Sequence, residues 1–116
     1  NAKLESLNHP NWGLLVKSPT GIKFKISPTA WGSLCLNDDS ELWIKLENEK
    51  VIKFKNIDGI ECENSSYLYS RFKFLDKDDI VNLKSSPMTL IRLYQSGGYI
   101  DIKVKERCLK SSFLII

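Results

Sequence analysis

The sequence predicts a mainly β fold: a single antiparallel β-sandwich or bent barrel of about seven to nine strands, with one short helix near residues 77–84 and a C-terminal helix as a candidate. Three observations lead there. Apolar residues alternate with polar ones at a period of two through most of the chain, the mark of strands with one buried face. Gly, Pro, Asn and Asp punctuate these runs at short intervals. Helix start and stop signals gather around one brief stretch and nowhere else before the C-terminus.

In order along the chain, residues 1–11 show no clear pattern and are expected to be loosely ordered. In "WGLLVKSPTGIKFKIS" the Ser18-Pro19-Thr20-Gly21 bend predicts a hairpin with Ser18 opposite Ile22. That register pairs Val16 with Phe24 and Leu14 with Ile26, leaving Lys17, Lys23 and Lys25 on the outer side. Residues 31–36 read as a short buried strand ending at the polar Asn37-Asp38-Asp39 turn.

"ELWIKLENEKVIKFKNI" reads as a second hairpin. Leu42, Ile44 and Leu46 share one face, as do Ile52 and Phe54, and an odd-length loop is needed to bring the two faces together. A three-residue loop such as Asn48-Glu49-Lys50 satisfies this and sets Trp43 opposite Lys55. Alternation weakens after Gly59 and returns over residues 67–75. "DKDDIVNLKSSP" then carries helix signals: Asp76 as a cap, acidic Asp78 and Asp79 in the first turn, apolar Ile80 and Leu83, and Pro87 just beyond the end.

The last hairpin, "TLIRLYQSGGYIDIKVKE", is expected to turn at Gly97-Gly98. Ile91, Leu93, Ile100, Ile102 and Val104 then share an inner face, and Arg92, Tyr94, Tyr99, Asp101 and Lys103 an outer one, with Asp101 diagonal to Arg92. The tail "ERCLKSSFLII" reads as a helix burying Cys108, Leu109 and Phe113, with a last strand as the alternative.

A length of 116 residues fits a single domain spanning 1–116. No apolar run reaches the roughly 18 residues of a membrane-spanning helix. A net charge of +3, from 17 basic and 14 acidic residues, is too mild to mark a nucleic-acid binder. Lysine dominates, with Arg71, Arg92 and Arg107 as the arginines, and this disfavours bidentate reading of bases. Cys35, Cys62 and Cys108 lack zinc-ligand spacing and are expected as buried free thiols, one disulfide plus a leftover thiol being the alternative. The start at Asn1 reads as a processed product or as a fragment of a longer protein, and the Asn64-Ser65-Ser66 sequon matters only in a glycosylating secretory pathway; a processed extracytoplasmic or cell-surface protein is the expectation over a cytoplasmic one.

Catalytic signals are poor. The single histidine, His9, lies in the patternless N-terminal stretch, far from the order a general base requires. The clusters Asp38-Asp39-Glu41 and Asp76-Asp78-Asp79 read as turn and helix-start residues, not as a metal site. The expectation is a non-catalytic module without cofactor or metal, with a small hydrolase the least favoured reading. The leading reading is a protein-binding module in a larger assembly or at a cell surface, acting through Arg92, Tyr94, Tyr99 and Asp101, residue types that suit interface hot spots. The alternative is an anionic polymer, such as single-stranded nucleic acid or polysaccharide, or a membrane surface. It would be held by Lys17, Lys23, Lys25, Trp43, Lys45, Lys53 and Lys55. Against both stands the ordinary use of strand lysines to guard a sheet against aggregation.

Overall fold

The computed structural model describes residues 6–9, 12–18, 21–27, 33–63 and 68–104, the first two segments as backbone and strand pairing. The period-two segments become β1 (Ser6–His9), β2 (Trp12–Ser18), β3 (Gly21–Ile26), β4 (Leu34–Leu36), β5 (Glu41–Leu46) and β6 (Val51–Asn56). They continue as β7 (Glu61–Glu63) and β8 (Leu68–Phe74), then helix α1 (Asp79–Ser85), β9 (Met88–Gln95) and β10 (Gly98–Lys103). The fold is mainly β and antiparallel, as expected. It has ten strands among the described residues against the expected seven to nine. The surplus lies in short strands such as β1 and β7, too brief for alternation to announce them.

Eight strands form one curled sheet in the order β1-β2-β3-β8-β6-β5-β9-β10, and β4 pairs with β7 in a small second sheet. Because β8 lies between β3 and β6, segments far apart in the chain become neighbours. Phe24 and Ile26 of β3, Phe72 of β8, Phe54 of β6, and Ile44 and Leu42 of β5 are almost wholly buried on the inner side of the curl. Leu34 and Leu36 of β4 and Leu83 of α1 join the same core from the small sheet and the helix. Each such side chain contributes about 1.5–3 kcal/mol of burial free energy, the term that holds a curled sheet closed on its apolar face.

All three hairpins keep their expected faces but shift register by two residues. Val16 pairs with Ile22 and Leu14 with Phe24, with an irregularity between Val16 and Ser18. Trp43 faces Lys53 instead of Lys55, around a three-residue loop of Glu47, Asn48 and Glu49. Glu49 closes that loop in the left-handed conformation, φ 76°. In the last hairpin Gln95 faces Gly98, so the turn is Ser96-Gly97 and Asp101 lies directly opposite Arg92, not diagonal to it. A tertiary anchor accompanies this register: the Ser96 N–H and hydroxyl both donate to the Cys35 carbonyl of β4, at 2.8 and 3.2 Å. An even slip preserves which residues face the core, so hydrophobic alternation by itself cannot choose between the two registers.

The expected free thiols at Cys35 and Cys62 are corrected. These residues face each other across β4 and β7 and form a disulfide. Their partnership depends on pairing between strands 27 residues apart, which cysteine spacing does not reveal. The helix begins at Asp79, and Asp78 is its N-cap. Asp76 acts one step earlier, its carboxylate accepting the Asp78 N–H at 3.0 Å. The expected C-terminal helix, Cys108, the sequon, and Pro19 and Thr20 of the first bend lie outside the described residues, as does Trp31.

Asn56, at the end of β6, organises one end of the structure. Its buried amide donates to the carbonyls of Asn37 and Gly59 at 2.9 and 2.8 Å. Its carbonyl accepts from the Ser70 hydroxyl at 2.6 Å and the Asp58 N–H at 3.0 Å. One side chain thereby binds the turn after β4 and the turn after β6 to β8, with its hydrogen-bonding capacity filled.

Candidate functional site: the outer face of the sheet

The side chains that alternate away from the core line the outer face, and strand order decides which of them meet. Across β6, β5, β9 and β10 the register aligns Lys53, Trp43, Arg92 and Asp101 in one row. In the adjoining row Lys55 faces Glu41, and Tyr94 faces Tyr99. The two sets of residues read separately from the sequence, the Arg92 set and the Trp43 set, therefore adjoin on one surface.

Within it the side chains hold one another. The Arg92 Nε and Nη2 donate to the two carboxylate oxygens of Asp101 at 2.7 and 2.9 Å, a bidentate pair. The same guanidinium lies 3.9 Å from the centroid of the Tyr99 ring. Tyr94 meets Tyr99 edge-on at 5.7 Å and Trp43 at 5.0 Å. The Lys53 ammonium sits 4.3 Å from the Trp43 ring centroid, while the indole N–H donates to Glu41 at 2.7 Å. Cation and ring geometry of this kind is worth about 0.5–1 kcal/mol per exposed pair.

Electrostatics follow from these contacts. Hydrogen bonds from Arg92 hold the Asp101 carboxyl below its ordinary value of 3.8, with partial burial working against them. Arg92 is correspondingly raised, first by Asp101 and then by Tyr94. With its Nε–Nη2 edge on Asp101 and one face against Tyr99, the guanidinium is already committed to a carboxylate of its own chain. Lys45 likewise lies 3.2 Å from Glu49.

Two shallow recesses flank Trp43, which forms a wall of each. One, of about 400 Å³, is lined by polar and acidic groups, including Asp39, Ser40 and Glu41, with Tyr94. The other, of about 370 Å³, has Val51 and Leu90 as its aliphatic lining and Lys45, Glu49 and Arg92 as its charged groups.

Lys23 and Lys25 lie two strands away from this region, on β3. Lys17 falls at the irregularity in β2. Between β3 and β6, β8 contributes Tyr69, Arg71 and Lys73, residues the sequence reading passed over although strict alternation in "YLYSRFKFL" already placed them on one face. Arg71 is tied to Asp58, its Nε and backbone N–H donating to the carboxylate at 2.9 and 2.8 Å. Hydrogen bonding to Arg71 pulls Asp58 below 3.8.

Asp38 and Asp39 lie in the turn between β4 and β5. No group of three His, Cys, Asp or Glu side chains gathers in metal-binding geometry among the described residues. No helix among them is long and apolar enough to cross a membrane. No protein-family model, curated protein or solved structure matches this chain.

Proposed function

We propose that this protein is a non-catalytic binding module whose aromatic outer face, centred on Arg92, Tyr94, Tyr99 and Asp101 and extended by Trp43, docks a protein partner. The observation that carries the reading is preorganisation. Arg92 is clamped by Asp101 and laid on Tyr99, and Tyr94 is held between Tyr99 and Trp43. Ordering a long side chain on binding costs about 0.5–1.5 kcal/mol, and here much of that ordering precedes any encounter. Tyr99 nevertheless remains 53% exposed, so its ring is available to a partner.

The recesses beside Trp43 define the complementary surface. A basic side chain suits the recess holding Asp39 and Glu41, and an aliphatic one suits the recess lined by Val51 and Leu90. Charge-balanced aromatic surfaces of this type favour a protein over a polyanion, because the arginine fork that would grip a phosphate is occupied. The Cys35–Cys62 disulfide accords with an oxidising, extracytoplasmic or cell-surface setting.

Affinity capture from the source extract tests the reading, with the wild-type chain compared against Tyr94→Ala and Trp43→Ala. A discrete protein should survive a high-salt wash on the wild type and be lost from both variants. Tyr94→Ala gives up edge contacts to two rings and should lose about 1–3 kcal/mol of stability while remaining folded at the assay temperature, checked by thermal unfolding. Equal capture by the wild type and both variants would sink the proposal.

A further inference from the structure

The insertion of β8 between β3 and β6 brings together two lysine pairs that are far apart in sequence. Lys55 of β6 lies directly opposite Lys73 of β8. Lys73 in turn faces Gly21, where an added Cβ would collide with the Phe72 carbonyl oxygen, so the position beside Lys73 stays bare of a side chain. One step along, Arg71 faces Lys23, and beyond it Tyr69 faces Lys25. Together with Lys53 these residues make a basic band across three adjacent strands, about 4.8 Å apart. Like charges directly opposite one another are unfavourable in a sheet, and an anion laid across them removes that repulsion.

We infer that this band binds a linear acidic polysaccharide carrying sulfate or carboxylate groups. Charge complementarity comes chiefly from lysines, point charges that suit a chain of spaced anions. Single-stranded nucleic acid fits less well, because stacking bases would have to share the Tyr69 and Trp43 rings with the Lys23 and Lys53 ammonium groups, 5.3 and 4.3 Å from their centroids. The one arginine of the band is committed to Asp58. The disulfide accords with an oxidising, extracytoplasmic setting, in which an extracellular polysaccharide would be met. The band lies on different strands from the Arg92–Asp101 pair and does not depend on it.

The test is binding of the full chain to heparin, with oligo(dT) and phosphatidylserine vesicles as competing classes. Heparin should be held more tightly than either, with affinity falling steeply between roughly 50 and 200 mM salt through counterion release. Lys55→Glu with Lys73→Glu should weaken it by about tenfold or more and flatten its salt dependence, since two contacts that release counterions are lost. The milder pair Lys55→Gln with Lys73→Gln should weaken it less while matching or exceeding the wild-type melting temperature, which separates lost binding from lost folding. Lys84→Gln, on the helix, should leave heparin affinity unchanged, and so should Tyr94→Ala. No heparin retention at low salt, retention unaffected by the Lys55 and Lys73 changes, or tighter binding of oligo(dT) or vesicles would each overturn the inference.

Discussion

Asn56 and Asp101 illustrate two kinds of polar side chain with different consequences. Asn56 is buried and makes four hydrogen bonds, so removing its amide leaves the Asn37 and Gly59 carbonyls, the Ser70 hydroxyl and the Asp58 N–H without that partner. Asn56→Ala should cost about 1–3 kcal/mol in urea unfolding, chiefly for the buried Ser70 hydroxyl left without its acceptor. A change within a few tenths of a kcal/mol would show that these turns are held by other means. Asp101 is a partly exposed member of an ion pair, and its effect is on titration more than on stability. Its folded-state value is depressed below 3.8, so its stabilising contribution is present above that value and fades as pH falls through the folded-state midpoint. NMR titration should place the Asp101 carboxyl below 3.8 in the wild type and return it toward 3.8 in Arg92→Gln. An identical midpoint in both proteins would remove the pair as the cause.

Among the elements, the small β4–β7 sheet is the one that most depends on a covalent tie. Each strand has three residues, too few for the pairing to stand alone. Leu34 and Leu36 nonetheless supply part of the buried core. The Cys35–Cys62 bond closes a separation of 27 residues, for which the chain-entropy account gives about 3–4 kcal/mol. Reduction, or Cys35→Ala with Cys62→Ala, should lower unfolding stability by an amount of that order, and a non-reduced peptide map should show the two cysteines linked. An unchanged urea midpoint on reduction would contradict this. Alternation alone also locates most longer strands: burial has a period of two along β3, β5, β6 and β8, and it departs from hydropathy at the buried Asn56 and Ser70 and the exposed Val51. The short strands carry too little pattern to be read, and the register of each hairpin slips by two because both pairings bury the same side chains.

Across the fold, the sheet order assembles an aromatic, charge-balanced region over β5, β9 and β10 and a basic region over β3, β8 and β6. The first supports the proposed protein contact, and the second the inferred polysaccharide contact. The Arg92, Tyr94, Tyr99 and Asp101 grouping was legible in the sequence because one hairpin contains all four residues and parity assigns them a common face. Their ion pair was not, since it depends on a register that the Ser96–Cys35 contact accompanies. Likewise Lys23, Lys25, Lys53 and Lys55 were visible as stripes, but Lys73 joined them only through the placement of β8. Local chemistry thus established the β class, the core-facing residues and the composition of each outer stripe, because alternation and turn propensity act over a few neighbouring residues. The disulfide partner, the buried Asn56 network and the meeting of distant stripes awaited the folded chain, because each requires contacts between segments that no local periodicity brings together.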